Sequence, residues 1–301
     1  MSVTIKDVAK AAGVSVATVS RVLNNSSAVS DETAAAVNEV INEMGYSPNF
    51  LGRNLRKCET NNILVILPST EHTVYSNIIN GMQDAAYPFY DIFLSTSNSY
   101  LDTEMRLLNM LFNRTVDAAV LLGTQIDGEK LNELNKSYNI ALCCERREGA
   151  NVLTVTINDE AAAFDAVSFF LKKGKRKIAL ITTVTSAHSS HDREAGYTRA
   201  LAAYGIEKDE AVFCISDLLA VGVIKQASRD GIAIGSQLEV CGFDNISLSE
   251  MYIPGITTVA QPGYEMGKTV ITKLLENMHK TEKNNEHIIL DHELIIRGSA
   301  K

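Results

Sequence analysis

The fold class the sequence predicts is a small all-α unit followed by a two-lobed α/β body of parallel, doubly wound sheets. Residues 4–24 carry two short stretches of helical periodicity broken by Gly13. From Asn62 onward, strand-sized apolar runs alternate with helix-period segments, the rhythm of a parallel sheet covered on both faces. That alternation runs through two series, and 301 residues exceed one ordinary domain.

The elements follow in chain order. Ile5, Val8, Ala9 and Ala12 share one face of a first helix. Gly13 breaks it, tolerating a left-handed backbone, and Val14 plugs the turn. Ser15 caps a second helix running to Asn24, whose inner stripe is Val19, Val22 and Leu23. Two short helices across a glycine-containing turn form a helix-turn-helix, whose second helix enters the major groove of DNA. Val16 and Ala17 then suit a thymine methyl, and Arg21 forks onto guanine. Thr4, Ser15, Thr18, Ser20 and Asn24 are short polar groups suited to phosphate oxygens. The alternative is a plain three-helix bundle with a solvated face, which the charge balance favours: residues 1–60 hold six Lys/Arg and six Asp/Glu. The arrangement speaks for DNA, because Arg21, Arg53, Arg56 and Lys57 lie in contact segments. The acids Asp31, Glu32, Glu39 and Glu43 gather in a third helix, capped by Ser30 and closed by Gly45. Pro48 then starts a short helix with Leu51 and Leu55 on one side.

In the body, Ile63–Leu67, Ile92–Leu94, Ala118–Leu122 and Ile140–Cys143 read as buried strands, with helices at 75–86, 103–112 and 129–137 between them. A second series has strands at 152–157, 177–182, 211–214 and 238–241, and helices at 161–173, 193–204 and 218–230. Two open sheets suit a ligand between their strand ends.

Composition excludes other classes. A net charge of −8 with 46% hydrophobic and 21% charged residues describes a globular chain. No apolar run approaches the roughly 18 residues of a membrane span, and MSVTIKDVAKAAG lacks a secretion signal's apolar core. A cytoplasmic protein without a membrane partner is expected. The five cysteines read as reduced, mainly buried thiols. Cys143 and Cys144 are taken as adjacent strand residues on opposite faces, which argues against a redox pair. His188 and His191 in "HSSH" have no third ligand nearby and read as a solvated loop, so no metal is expected. No nucleophile elbow, HExxH, Walker loop or dinucleotide fingerprint occurs, so neither enzyme activity nor a cofactor is expected.

"TIKDVAKAAGVSVATVSRVLN", "VSDET", "GYSPN" and "VCGFDN" resemble the LacI/GalR family of bacterial repressors over nearly the whole chain. The resemblance implies a homodimer on double-stranded operator DNA and a periplasmic-binding-protein-like body. Residues 1–47 are then the headpiece, 48–60 the hinge helix and linker, and 61–301 the effector-binding and dimerisation domain. Family topology makes the lobes discontinuous: lobe 1 is 61–156 with 262–286, and lobe 2 is 157–261 with 287–301. Leu55 matches the family's minor-groove leucine, a wedge that bends the duplex, and Asn49 and Arg56 flank it as further contacts. Gly52, where many relatives carry alanine, costs about 1 kcal/mol of helix propensity, so this hinge should order only on DNA. Arg193 in "HDREAGY" and Asp244 in "GFDN" match the family's effector-binding pair, a donor fork and a two-oxygen acceptor for hydroxyls. Tyr75 falls where relatives place an aromatic against the ligand, although their "NPF" is here His72-Thr73-Val74. Ser216 serves as ligand contact or as helix cap, two readings of equal weight.

"LGRNLRKCETNNILVILP", "NDEAAAFDAV", "VAQPGYEMG" and "HELIIRGS" look most like a cytidine-responsive member. That implies control of nucleoside uptake and catabolism genes, a nucleoside such as cytidine as effector, and the cyclic-AMP receptor protein as a candidate partner. The chain also departs from the family. Only Glu207–Glu210 separates Gly205-Ile206 from Ala211, where relatives carry a further strand–helix unit. Right-handed crossovers then require either that the helix over 193–204 changes face or that the second lobe is incomplete. A damaged lobe and a non-inducible repressor are expected slightly ahead of an intact one. A solute-binding protein on the same body is a further alternative, opposed by the DNA-reading headpiece.

Overall fold

The computed structural model describes residues 3–23, 28–46, 59–71, 73–183, 187–204 and 211–301. Asn24, Asn49, Leu55, Arg56, the hinge segment through Cys58 and the short connection at 205–210 lie outside them. The chain divides into two compact units, Met1–Glu59 and Thr60–Lys301.

The first unit contains α1 (Ile5–Ala11), α2 (Val16–Leu23) and α3 (Asp31–Glu43). Val8, Ala9, Val19, Val22 and Val37 form its core, and Val14, Leu23, Val40, Ile41 and Met44 close around them. Gly13 sits at φ +67°, a conformation that favours glycine, and the Val14 N–H returns to the Ala9 carbonyl at 3.0 Å. Ser15 accepts from the Thr18 N–H at 3.0 Å, and Ser30 accepts from the Thr33 N–H at 3.4 Å.

The second unit holds two sheets. The first comprises β1 (Asn62–Leu67), β2 (Asp91–Thr96), β3 (Ala118–Leu121), β4 (Asn139–Cys143), β5 (Leu153–Ile157) and β10 (His287–Leu290), in the spatial order β10-β5-β4-β3-β1-β2. All its pairings are parallel, with Val65 opposite Val120 and Leu142 opposite Thr154. Around it lie α4 (Tyr75–Ala86), α5 (Leu101–Phe112), α6 (Gly128–Ser137) and α11 (Gly263–Met278). Ile78 and Met82 of α4 and Val270 and Leu274 of α11 cover one face; Leu108 and Leu111 of α5 and Leu131 of α6 cover the other.

The second sheet is ordered β11-β9-β8-β7-β6: Glu293–Ile295, Thr257–Ala260, Val240–Asp244, Ala211–Cys214 and Ile178–Ile181. It is parallel except for β11, which pairs antiparallel with β9. Its helices are α7 (Asp159–Lys172), α8 (His188–Ala203), α9 (Asp217–Arg229) and the short α10 (Ser247–Met251). The chain therefore passes between sheets after β5, between β9 and α11, and after β10. Residues 287–290 belong to the first lobe, a correction to the boundary expected at 287, because Ile288 and Leu290 pair beside Val155 and Ile157.

The helix over 193–204 does not change face. It begins at His188 and lies with α7 against Phe213 and Phe243, whereas Ala220 and Ile224 of α9 cover Val212, Cys214 and Val240 on the reverse side. The connections β6–α8–β7 and β7–α9–β8 step the same way across the sheet with helices on opposite faces, so their hands are opposite. One of them breaks the right-handed rule that the sequence argument relied on. Close packing is the reason: a Cβ on Gly196 of α8 would stand 2.2 Å from the Glu160 carbonyl of α7. The α7–α8 pair locks α8 to its side, and the sheet closes with β6 as its edge.

Candidate functional site

In the first unit, capping presents the contact face. The Thr4 N–H and hydroxyl both reach Asp7 Oδ2, at 2.9 and 2.7 Å, and these bonds hold the Asp7 carboxyl below its ordinary range. The Ser15 and Thr18 hydroxyls lie 2.9 Å apart. Val16 and Ala17 in the first turn of α2 and Arg21 in its last turn are exposed, while Val19 and Val22 face inward. Val16 is 41% exposed at that surface. Thr18 and Ser20 are half-buried on its flank.

In the second unit, a cavity of about 370 Å³ opens between the lobes, and Tyr75, Arg193, Ser216 and Asp244 all line it. Arg193 is the centre. Its Nε donates to Asp159 Oδ1 at 2.8 Å, its Nη1 to the Ile215 carbonyl at 2.6 Å and to Asp244 Oδ1 at 3.3 Å. The guanidinium lies 3.7 Å from the centroid of the Phe243 ring. Gln261 Nε2 donates to Asp244 Oδ1 at 2.7 Å. Asp244 and Asn245 adopt φ of +107° and +52°, strain held in place because Arg297 Nη2 anchors Asn245 Oδ1 at 2.9 Å. Ser216 accepts from the Leu219 N–H at 3.4 Å as the cap of α9, and it also stands on the cavity wall.

Burial governs the titrating groups. It pushes the Asp159 carboxyl up to about 6 against the pull of Arg193, and Asp217, beneath Gly242, up to about 7. It also raises the Tyr75 hydroxyl, with Cys144, Glu145 and Asp244 adding to the effect.

Sequence reasoning missed Glu104, Gln125, Glu145 and Gln261 on the cavity wall. Gln261 lay within a quoted string; the glutamates carry no local pattern, since each is placed by a distant partner. Glu104 accepts from the Thr124 hydroxyl at 2.6 Å, and Glu145 from the Ser189 hydroxyl at 2.7 Å. Two further corrections concern "HSSH" and the paired cysteines. His188 and His191 lie in the first turns of α8, not in a loop. No cluster suited to a metal occurs among the described residues. Cys144 stands beyond β4 at φ +69°, which turns its sulfur to within 3.9 Å of Cys143 Sγ instead of to the opposite face. The four described cysteines are free.

Comparison with known proteins bears on both units. Residues 4–49 match the model of bacterial regulatory proteins of the lacI family, and residues 60–211 the periplasmic binding proteins and sugar binding domain of LacI family. Residues 207–300 match a periplasmic binding protein-like domain. Catabolite control protein A of Priestia megaterium is 33% identical over 332 residues, covering 100% of both chains. The chain belongs to the lacI family of bacterial regulatory proteins. As a LacI-family member it is a DNA-binding transcriptional repressor, and its relatives are regulators rather than enzymes. The HTH-type transcriptional repressor CytR of Escherichia coli K12 is 32% identical over 328 residues, covering 99% of this chain and 96% of its own. Among solved LacI-type structures, a lac repressor dimer bound to operator superposes with a TM-score of 0.88 over 99% of each chain, at 22% identity. The transcriptional regulator CelR in complex with cellobiose gives 0.71 at 26% identity, over 99% of this chain and 100% of its own. The alignment with catabolite control protein A runs to 332 residues against 301 here, so that relative carries residues with no counterpart in this chain.

Proposed function

We propose that this LacI-family repressor binds its operator as a cytoplasmic homodimer and responds to a small hydroxylated effector seated on Arg193 and Asp244. The observation that carries the reading is the convergence of Tyr75, Arg193, Ser216 and Asp244 on one cavity despite the short connection before β7. Ligand sites of open α/β sheets lie at the carboxyl ends of the strands, which the missing unit leaves in place. In the headpiece, Val16, Ala17 and Arg21 read base edges, Thr4, Ser15, Thr18, Ser20 and Asn24 hold phosphates, and Asn49, Leu55 and Arg56 serve the minor groove. The second copy covers the apolar edge of β2, where Phe93 and Leu94 are half-exposed, and the projecting Met251 and Ile253.

The regulon we assign is nucleoside uptake and catabolism, with cytidine or another nucleoside as effector and the cyclic-AMP receptor protein as partner. Sequence strings shared with the cytidine-responsive branch support it. The similar identities to CytR and to catabolite control protein A make the nucleoside assignment the part to test first. Footprinting on the chain's own upstream region, with and without a nucleoside panel, provides the test. Protection relieved by one nucleoside, and unrelieved in Asp244→Ala, is expected. Protection indifferent to every nucleoside removes them as effectors; a non-inducible repressor then takes its place. In the same assay Arg21→Ala should weaken operator binding by about 1–3 kcal/mol and relax preference at one base. Undiminished preference would take Arg21 out of the readout.

A further inference from the structure

A helix of sixteen residues leaves unsatisfied N–H groups and a positive end at its N-terminus. The N-cap residue of helix α8 is Ala187, which has no polar side chain to cap it. The acceptor comes from the opposite lobe. Glu145, two residues beyond β4, takes the His188 N–H on Oε2 at 3.2 Å and the Ser189 hydroxyl on Oε1 at 2.7 Å. Glu145 is 8% exposed, and its carboxylate serves the role that a serine or aspartate at 187 would serve locally.

The two residues after Glu145 extend the contact. Arg146 forks onto Asp192 of α8, Nε to Oδ2 at 3.1 Å and Nη2 to Oδ1 at 2.8 Å. Arg147 Nη1 meets His188 Nδ1 at 3.3 Å, and its Nη2 donates to the Thr124 carbonyl of the first lobe. Three consecutive side chains of one lobe thus grip the first turns of a single helix in the other. That helix also carries Arg193, one residue beyond Asp192. The grip has a cost: Arg147 Nε is buried without a hydrogen-bond partner among the described residues, which the closed arrangement must offset.

We propose that Glu145-Arg146-Arg147 is an interlobe latch that holds the body closed without a ligand, by capping and clamping the N-terminus of α8. A ligand then acts on a body already closed, and shifts it only through its different affinity for latched and released forms. The latch forms beside the cavity, whose wall Glu145 and Ser189 help to build.

The test measures the distance between spin labels on the full chain, at Lys136→Cys on α6 and Lys225→Cys on α9, both exposed positions. Cys58 is replaced by serine, and singly labelled chains correct for distances between copies. The ligand-free parent should give one narrow distance. Arg146→Asp sets two carboxylates face to face at a side chain that is 47% exposed, so folding survives while the distance lengthens and broadens. The reversed pair, Arg146→Asp with Asp192→Arg, should restore the parent distribution. Glu145→Gln keeps one acceptor oxygen for the helix end and should fall between parent and Arg146→Asp. A broad distribution in the parent, an unchanged one in Arg146→Asp, or no recovery in the reversed pair would each overturn the latch.

Discussion

The two lobes are built from the same alternation yet differ at one edge. In the first, β1 is flanked on its outer side by β2, and α4 and α5 lie on opposite faces on either side of that strand. In the second, β6 occupies the place of β1, and among the described residues no strand lies outside it and β7 is the next element after α8. The cavity between the lobes is lined without such a strand–helix unit. The functional groups stand at the ends of inner strands and at the start of α8, which the central sheet and α7 position. What the rim decides is bracing: the lobe without it depends more on the α7–α8 contact.

The largest expected effect strikes that contact. Gly196→Ala forces a Cβ to 2.2 Å from the Glu160 carbonyl, and Gly267→Ala in the first lobe forces one to 1.9 Å from the Ile78 carbonyl. Each should cost about 3 kcal/mol by overpacking. Calorimetry distinguishes them: Gly196→Ala should split off an early transition of the second lobe, whereas Gly267→Ala shifts the whole melt. A single shared transition in both variants would erase the proposed difference in bracing.

The second lobe also holds the buried acids Asp217, up to about 7, and Asp159, up to about 6. Both are raised above their unfolded value near 3.9, so the folded form binds more protons across the interval between. Their contribution is full below about pH 4 and is lost as pH rises through 6 to 7, at up to about 1.4 kcal/mol per pH unit for each group. Asp217→Asn should flatten the dependence of the urea midpoint over that window; an unaltered slope would show that Asp217 does not titrate there.

Smallest are the caps. Ser216→Ala on α9 and Asp127→Ala on α6, whose carboxylate accepts from the Lys130 N–H at 2.7 Å, should each cost about 1 kcal/mol. Equal losses are expected because capping is local and indifferent to the rim. A loss at Ser216 several times larger would mean that the second lobe amplifies small defects.

Much of this was legible before any coordinates. The helix-turn-helix announced itself through Gly13, the Ser15 cap and the Val19/Val22 stripe, all set by neighbours within four residues. Strands such as Ala211–Cys214 and the helix Tyr75–Ala86 fell at their expected places because apolar period and breakers mark them locally. Illegible were the groups whose surroundings come from far along the chain. Glu145 reads as one more acid after a strand until α8 arrives above it, and "HSSH" reads as loop because its helix cap belongs to the other lobe.

By itself, then, the amino-acid order determined the headpiece and the two alternating series, because periodicity and capping act over short separations, while Arg193 and Asp244 stood out only through the resemblance to the LacI/GalR family. Only the tertiary structure decided which face α8 takes. Handedness argued for one side, but α8 packs so closely on α7 that a Cβ added at Gly196 would stand 2.2 Å from the Glu160 carbonyl, and this fit holds the other. A statistical preference of connections yields where two helices pack backbone to backbone, since that contact removes apolar surface along the whole helix while the crossover constrains only its ends.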